Sequence, residues 1–164
     1  MCHDLAMPEL SVRSMTQPEF DEWQDALARR FADSKVAAGT WTAAEALDKA
    51  RQANAALLPE GLATEDNLIL KGIRPDGTPV GRLWITLKHP QGVAGCAFLY
   101  DIEVEPEFRG AGYGRALLAA AEDAVREHGG TALELNVFGD NPVAISLYAT
   151  SGYAVVTQQM RKAV

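Results

Sequence analysis

Residues 100–125 read YDIEVEPEFRGAGYGRALLAAAEDAV. An apolar strand runs to Pro106, then Gly110, Gly112 and Gly114 follow Arg109, and a helical pattern takes over. Proline gives a sheet ladder no donor, so it ends the strand. Glycine admits turn conformations and lets another group approach the backbone without a Cβ in the way. Placed between strand and helix, the run offers consecutive N–H groups at a helix N-terminus, a site with roughly half a positive charge and several donors without partners. Two readings of the loop stand: a cradle for a phosphate or pyrophosphate with Arg109 at its lip, or a flexible turn that starts a helix. Two familiar phosphate loops fail on spacing. No Gly-x4-Gly-Lys-Ser/Thr run exists, and Arg115 occupies the last glycine's place in a GxGxxG counted from Gly110.

Outward from this stretch the hydrophobic period switches between helix and strand. Leu10–Met15 alternates as a short strand. Thr16 or Gln17 before Pro18 opens a helix to about Ala38, with Phe20, Trp23, Leu27 and Phe31 on one face. Thr42 caps a second helix, faced by Ala43, Leu47, Ala50 and Leu57 and ended by Leu58–Gly61. Asn67–Ile73 and Val80–Lys88 read as strands joined by a turn at Pro75, Asp76 and Gly77. Cys96–Glu105 is the next strand. Gly114–His128 is a helix with Leu117, Leu118, Ala121 and Val125 as its buried stripe, closed by Gly129 and Gly130. Thr131–Phe138 is a strand, Asn141 caps a helix at Pro142 with Ile145, Leu147 and Tyr148 inside, and Tyr153–Met160 is the last strand. The order describes one α+β domain over residues 1–164, with residues 1–9 as a loose N-terminal segment.

Size and composition narrow the class. The chain has 164 residues, 48% hydrophobic and 23% charged, as ordinary soluble domains do. Its longest apolar run is too short for a membrane span, and MCHDLAMPEL lacks the basic and apolar regions of a secretory signal. A cytoplasmic protein is expected. With a formal charge of −7, long-range attraction to nucleic acid or an anionic membrane is not expected, and a cationic substrate fits the sign. Cys2 and Cys96 make no disulfide scaffold, and His3, His89 and His128, isolated in the sequence, resemble no metal set, so no metal is expected.

Arg109-x-x-Gly112-x-Gly114 resembles the Q/R-x-x-G-x-G/A signature of the GNAT N-acetyltransferase superfamily. Its context agrees: FLYDIEVEP before it, RALLAAAEDAV after it, then ALELNVF and DNPVAISLYATSGY. The last piece is similar to the family's N-x-x-A-x-x-L-Y-x-x-x-G-F/Y, through Asn141, Ala144, Leu147, Tyr148, Gly152 and Tyr153. The resemblance implies an α/β/α sandwich with a mixed, mostly antiparallel sheet splayed between its fourth and fifth strands. It also implies acetyl-CoA as co-substrate and transfer of its acetyl group to an amine by direct attack. Backbone groups about Ile102, Glu103 and Val104 would pair with the pantetheine arm. The N–H groups from Arg109 through Gly110, Ala111, Gly112, Tyr113 and Gly114 to Arg115 would hold the pyrophosphate. Asn136 and Asn141 would lie near the cofactor further along, although Asn141 is equally a plain N-cap before Pro142.

Tyr148 matches the family tyrosine beside the thioester sulfur, where a phenol can protonate the departing thiolate; its other reading is a core aromatic. The acceptor poses a separate problem. An alkylammonium of pKa about 10.4 is neutral only about one time in a thousand near pH 7.4, a deficit of roughly 4 kcal/mol. A carboxylate, or a water it holds, must take that proton. Glu103 is the first candidate and Asp101 the second, with a solvated strand residue as the alternative for Glu103. Strict alternation puts Asp101, Glu103 and Glu105 opposite Ile102 and Val104, but family members usually have a bulge here. Some members carry a glutamate where this chain has Asn136, which cannot be a base. The first two helices would wall the acceptor pocket, with Trp23, Trp41 and Trp84 as candidates to shape it and Trp23 as a core residue by spacing. A small-molecule primary amine is the expected acceptor, for a monomer or homodimer. A protein N-terminus or lysine, or a non-catalytic acyl-CoA module, are the alternatives.

Overall fold

Thr16 and Thr42 open two helices in the same way: each backbone N–H donates to a glutamate three residues on, Glu19 at 2.8 Å and Glu45 at 3.2 Å. In the computed structural model, which describes residues 7–164, these helices are α1 (Gln17–Ala37) and α2 (Ala43–Leu57), following β1 (Ser11–Ser14). Then come β2 (Asn67–Ile73), β3 (Pro79–Thr86), β4 (Cys96–Val104), α3 (Tyr113–Glu127), β5 (Ala132–Leu135) and α4 (Pro142–Thr150). The sheet runs β1-β2-β3-β4-β5, antiparallel except for the parallel pair β4–β5. No described helix is long and apolar enough to cross a membrane. Cys2 and His3 lie outside the described residues.

Each face of the sheet carries its own core. Leu117, Leu118, Ala121 and Val125 of α3 pack on Leu70, Leu83, Ile85 and Leu99. On the other face Phe20 and Trp23 of α1 pack on Met15, Leu58, Ile69 and Trp84. The first core has a feature that periodicity does not show. Gly72 and Gly81 are paired across β2 and β3, and a Cβ on either would come within 2.5 Å of a Leu117 methyl. The leucine therefore sits directly on bare backbone, drawing α3 down onto the sheet.

α1 and α2 meet through small side chains, Ala28 and Ala32 against Ala46 and Ala50, all buried. The stripe expected for α2 is thus shifted: Ala46, Ala50 and Asn54 are buried, whereas Leu57 is exposed. Three further expectations are corrected. β5 stops at Leu135 instead of Phe138, and Phe138 is exposed. Ile145 lies outside, with only Leu147 and Tyr148 of α4 packed against the core. Tyr153–Met160 forms no strand. A strand needs a ladder partner, and a four-residue β5 offers little edge; Tyr153 instead turns inward, its hydroxyl donating to Glu122 at 3.2 Å, while Val155 and Val156 stay exposed.

The first capping box also ties β1 to α1, because Arg13 donates to both Glu19 oxygens at 2.8 Å. The Arg13 guanidinium holds the Glu19 carboxyl at about 2. A carboxyl depressed in the folded state stabilises above its unfolded pKa of about 4.3, and that contribution fades as pH falls towards 2. Glu19→Gln is expected to lower stability by about 1 kcal/mol at pH 7, with the difference from the parent closing by about pH 2 in urea melts.

Candidate active site

β4 changes character along its length. Cys96 to Leu99 pair with Ala132 to Leu135 of β5, and beyond Leu99 no β5 residue is opposite. On the other edge β3 continues to pair as far as Gly81 with Val104. Between Asp101, which faces Trp84, and Leu99, which faces Ile85, Tyr100 is an extra residue: the bulge expected in this strand. The bulge puts Tyr100 and Asp101 both towards α1 and returns Ile102 and Val104 to the α3 side, where they pack on its core. Because Glu105 donates its N–H to Val80, alternate residues face β3, and the backbone groups of Ile102 and Val104 point into the splay.

The glycine loop lies at the end of this unpaired edge. A 3₁₀ turn, Pro106–Phe108, leads into Gly110 and Gly112 at φ of 76° and 86°, a left-handed region that favours glycine. Gly112 is the N-cap of α3, and a Cβ there would come 3.0 Å from Pro8. Among the described residues, the N–H groups of residues 110–115 meet no protein acceptor. A Cβ on Gly114 would lie 3.3 Å from Leu147 and 3.9 Å from Val104, so the end of β4, the start of α3 and α4 converge at this glycine. Two arginines fasten the loop. Arg109 donates to the Val104 carbonyl at 3.0 Å and to Glu103 at 3.3 Å, and Arg115 to Thr150 and Ser151 at 2.8 and 2.9 Å.

Asp101 and Glu103 project together on the α1 side, opposite Trp84 and Arg82. Neither is a bare carboxylate. Asp101 accepts from Arg82 Nε at 2.8 Å and from the Trp23 indole at 3.0 Å, with Arg30 at 3.4 Å. Glu103 Oε2 accepts from Arg82 and, at 2.6 Å, from Arg30, and Oε1 accepts from Arg109. Glu105 stands apart, 3.7 Å from Lys71. Trp23 is the core residue its spacing predicts, yet its polar edge reaches the site. Trp84 is buried beside it, and Trp41 meets Phe31 edge to face instead.

Asn141 caps α4, accepting the Ala144 N–H at 3.1 Å. Two turns on, Tyr148 is half-buried against the α3 core, its ring 5.8 Å from that of Tyr153. Burial, then the charge of Asp101, push its phenol above the ordinary value, so it stays protonated and able to donate. Asn136 falls just past β5 and is exposed.

Sequence reasoning missed Arg30 and Arg82. A basic residue midway along the apolar β3 was the available signal for Arg82; nothing in α1 marks Arg30 among its charged neighbours. It also took His89 as isolated, whereas the ligand atoms of His89, Cys96 and Glu134 lie within 4.8 Å of one another. His89 Nδ1 accepts the Gln91 N–H at 3.1 Å, which leaves the neutral ring's proton on Nε2, 3.4 Å from Glu134. That nitrogen is buried and makes no hydrogen bond among the described residues.

The family model for the acetyltransferase (GNAT) family matches residues 9–153. The N-acetyltransferase YdgE of Bacillus subtilis is 32% identical over 154 residues, 93% of this chain and 96% of that protein. YycN of the same organism is 34% identical over 150 residues, 90% and 94% of the two chains. Its crystal structure superposes with a TM-score of 0.82 over 95% of this chain and 99% of that one. At 18% identity, AAC(6')-Iy, solved with a bisubstrate analogue containing CoA, shares the fold with a TM-score of 0.63 over 95% and 98%. Motifs, splayed sheet and relatives agree: the chain belongs to the GNAT family of acetyltransferases.

Proposed function

We propose that this acetyltransferase moves an acetyl group from acetyl-CoA to the primary amine of a small molecule by direct attack. The observation that carries the reading is the convergence at Gly114, where an edge unpaired among the described residues, a run of N–H donors with no acceptor among them and the Tyr148 helix come together. Acetyl-CoA would supply the thioester whose C–S bond breaks as the amine nitrogen joins the acetyl carbon. Its pantetheine amides suit the backbone groups of Ile102 and Val104, which would act on it as on an added strand. Its pyrophosphate suits the cradle from Arg109 to Arg115, where the positive end of α3 and glycines without Cβ atoms favour close anionic approach. Asn141 would border the cofactor while keeping its cap.

Tyr148 is assigned the acid role: its raised phenol holds a proton for the sulfur at neutral pH. The other proton, from the acceptor's ammonium, goes to Glu103 directly or through a water, with Asp101 behind it. Among the described residues Glu103 Oε1 bonds only Arg109, and that guanidinium stands beside the cradle, where an anion would compete for it. A small amine is favoured over a protein acceptor because α1 closes the carboxylates from one side through Trp23 and Arg30.

The test is thermal unfolding with acetyl-CoA, free CoA and NADH, followed by CoA release with an amine panel. At 100 times its dissociation constant a ligand stabilises by about 2.7 kcal/mol, so the CoA species alone are expected to raise Tm. Gly112→Val is expected to abolish that rise, since its φ disfavours valine and its Cβ crowds Pro8; retained affinity would remove the cradle. Tyr148→Phe is expected to lower kcat about 100-fold with little change in acetyl-CoA affinity. In the parent, the alkaline limb assigned to this acid lies above the ordinary phenol value of about 10, because its shift is upward. Glu103→Gln is expected to lower kcat about 100-fold with acetyl-CoA affinity unchanged, and undiminished turnover would send the base role elsewhere.

A further inference from the structure

The carboxylates assigned to the acceptor side are outnumbered. Three guanidinium groups, Arg30, Arg82 and Arg109, converge on Asp101 and Glu103, leaving one positive charge in excess where the protein as a whole is acidic. A cationic amine arriving there would raise the local charge further, in a place where the side chains of Arg82 and Asp101 are only 11% exposed and screening is poor. An amine that brings its own negative charge would not.

The three arginines are not equivalent. Arg82 is nearly buried and spans both carboxylates from β3, so it is fixed. Arg109 belongs to the glycine loop and holds the Val104 carbonyl. Arg30 reaches across from α1, is 49% exposed, and bonds Glu103 with one nitrogen while its other lies at a long 3.4 Å from Asp101. Arg30 and Arg109 are both exposed and both touch the candidate base, but Arg109 is held by the Val104 carbonyl and assigned to the cradle, which leaves Arg30 to the acceptor side. An ammonium approaching Glu103 from the α1 side meets this guanidinium on Oε2.

We propose that the acceptor is an amine bearing a carboxylate close to its nitrogen, and that Arg30 is the residue that selects it. The ammonium takes the place of Arg30 on Glu103, and the released guanidinium pairs with the substrate carboxylate in the bidentate fork that the two groups' shapes match. One ion pair is exchanged for two, and the excess charge of the site stays as it was. Polyamines and other purely cationic amines have nothing to offer the displaced arginine. This inference rests on the small-molecule acetyltransferase reading above and narrows its acceptor.

Matched acceptors test it: L-leucine, 3-methylbutylamine and L-leucinamide, and L-phenylalanine, phenethylamine and L-phenylalaninamide. Within each set only the carboxylate changes. CoA release is followed at saturating acetyl-CoA with the parent, Arg30→Gln and Arg30→Lys. Each amino acid is expected to exceed its decarboxylated and amide partners in kcat/KM by about tenfold or more, chiefly through KM. Arg30→Gln collapses that ratio towards one, and Arg30→Lys restores part of it. A parent enzyme that prefers the amines or amides overturns the proposal and leaves the acetyltransferase reading in place. So does an Arg30→Gln variant that lowers every acceptor by the same factor, as a mere tether between α1 and β4 would. If acetyl-CoA binds and no small amine of either kind releases CoA, the small-molecule reading falls, and this inference with it.

Discussion

Past Leu99, β4 has, among the described residues, a sheet neighbour on one edge only. Backbone amides kept from water must find partners, so a strand with one bare edge is stable only where something else meets it. Everything about the site follows from how this chain handles that edge. The Tyr100 bulge rotates the strand so that its acidic residues face α1 and its apolar ones face α3. Arg109 then reaches back from the glycine loop to take the Val104 carbonyl, anchoring the loop to the strand it has just left. Gly114 lets α4 close over the same point.

The polar side of that strand is expensive to build. Taking charges from water costs several kcal/mol per ion unless each finds partners of good geometry. Asp101 has them in Arg82 and the Trp23 indole, and Glu103 in three arginines. Removing Arg82 would strand Asp101 beside the Trp23 indole, so this nearly buried pair holds the carboxylates in place while the exposed Arg30 is left able to move. Placement of a proton acceptor within a fraction of an ångström is what amine transfer asks of a scaffold.

Much of this was legible in the residues. The stripe Leu117, Leu118, Ala121 and Val125 identified α3 because its period holds over more than two turns, and both motifs marked the loop and α4. The alternation of Asp101 and Glu103 against Ile102 and Val104 survived the bulge, since the extra residue falls before it. What could not be read is contact between elements distant in sequence. Arg30 and Glu103 are 73 residues apart, and no local pattern says that they touch. Tyr153–Met160 alternates well enough to suggest a strand, but β structure depends on a partner edge, and β5 is too short to provide one. His89, Cys96 and Glu134 met for the same reason of topology, at the end of the sheet opposite the splay.

The four alanines between α1 and α2 give the helix pair a thickness as well as a core. Ala28 and Ala32 flank Arg30 by two residues on either side and have no side chain that can fold away. A larger residue on the facing surface of α2 would therefore push α1 bodily, and the tip of Arg30 would register the shift at Glu103. In a lineage of such proteins, divergence confined to a buried, uncharged seam would be enough to retune what the charged groups recognise, leaving the strand, the loop and the tyrosine untouched.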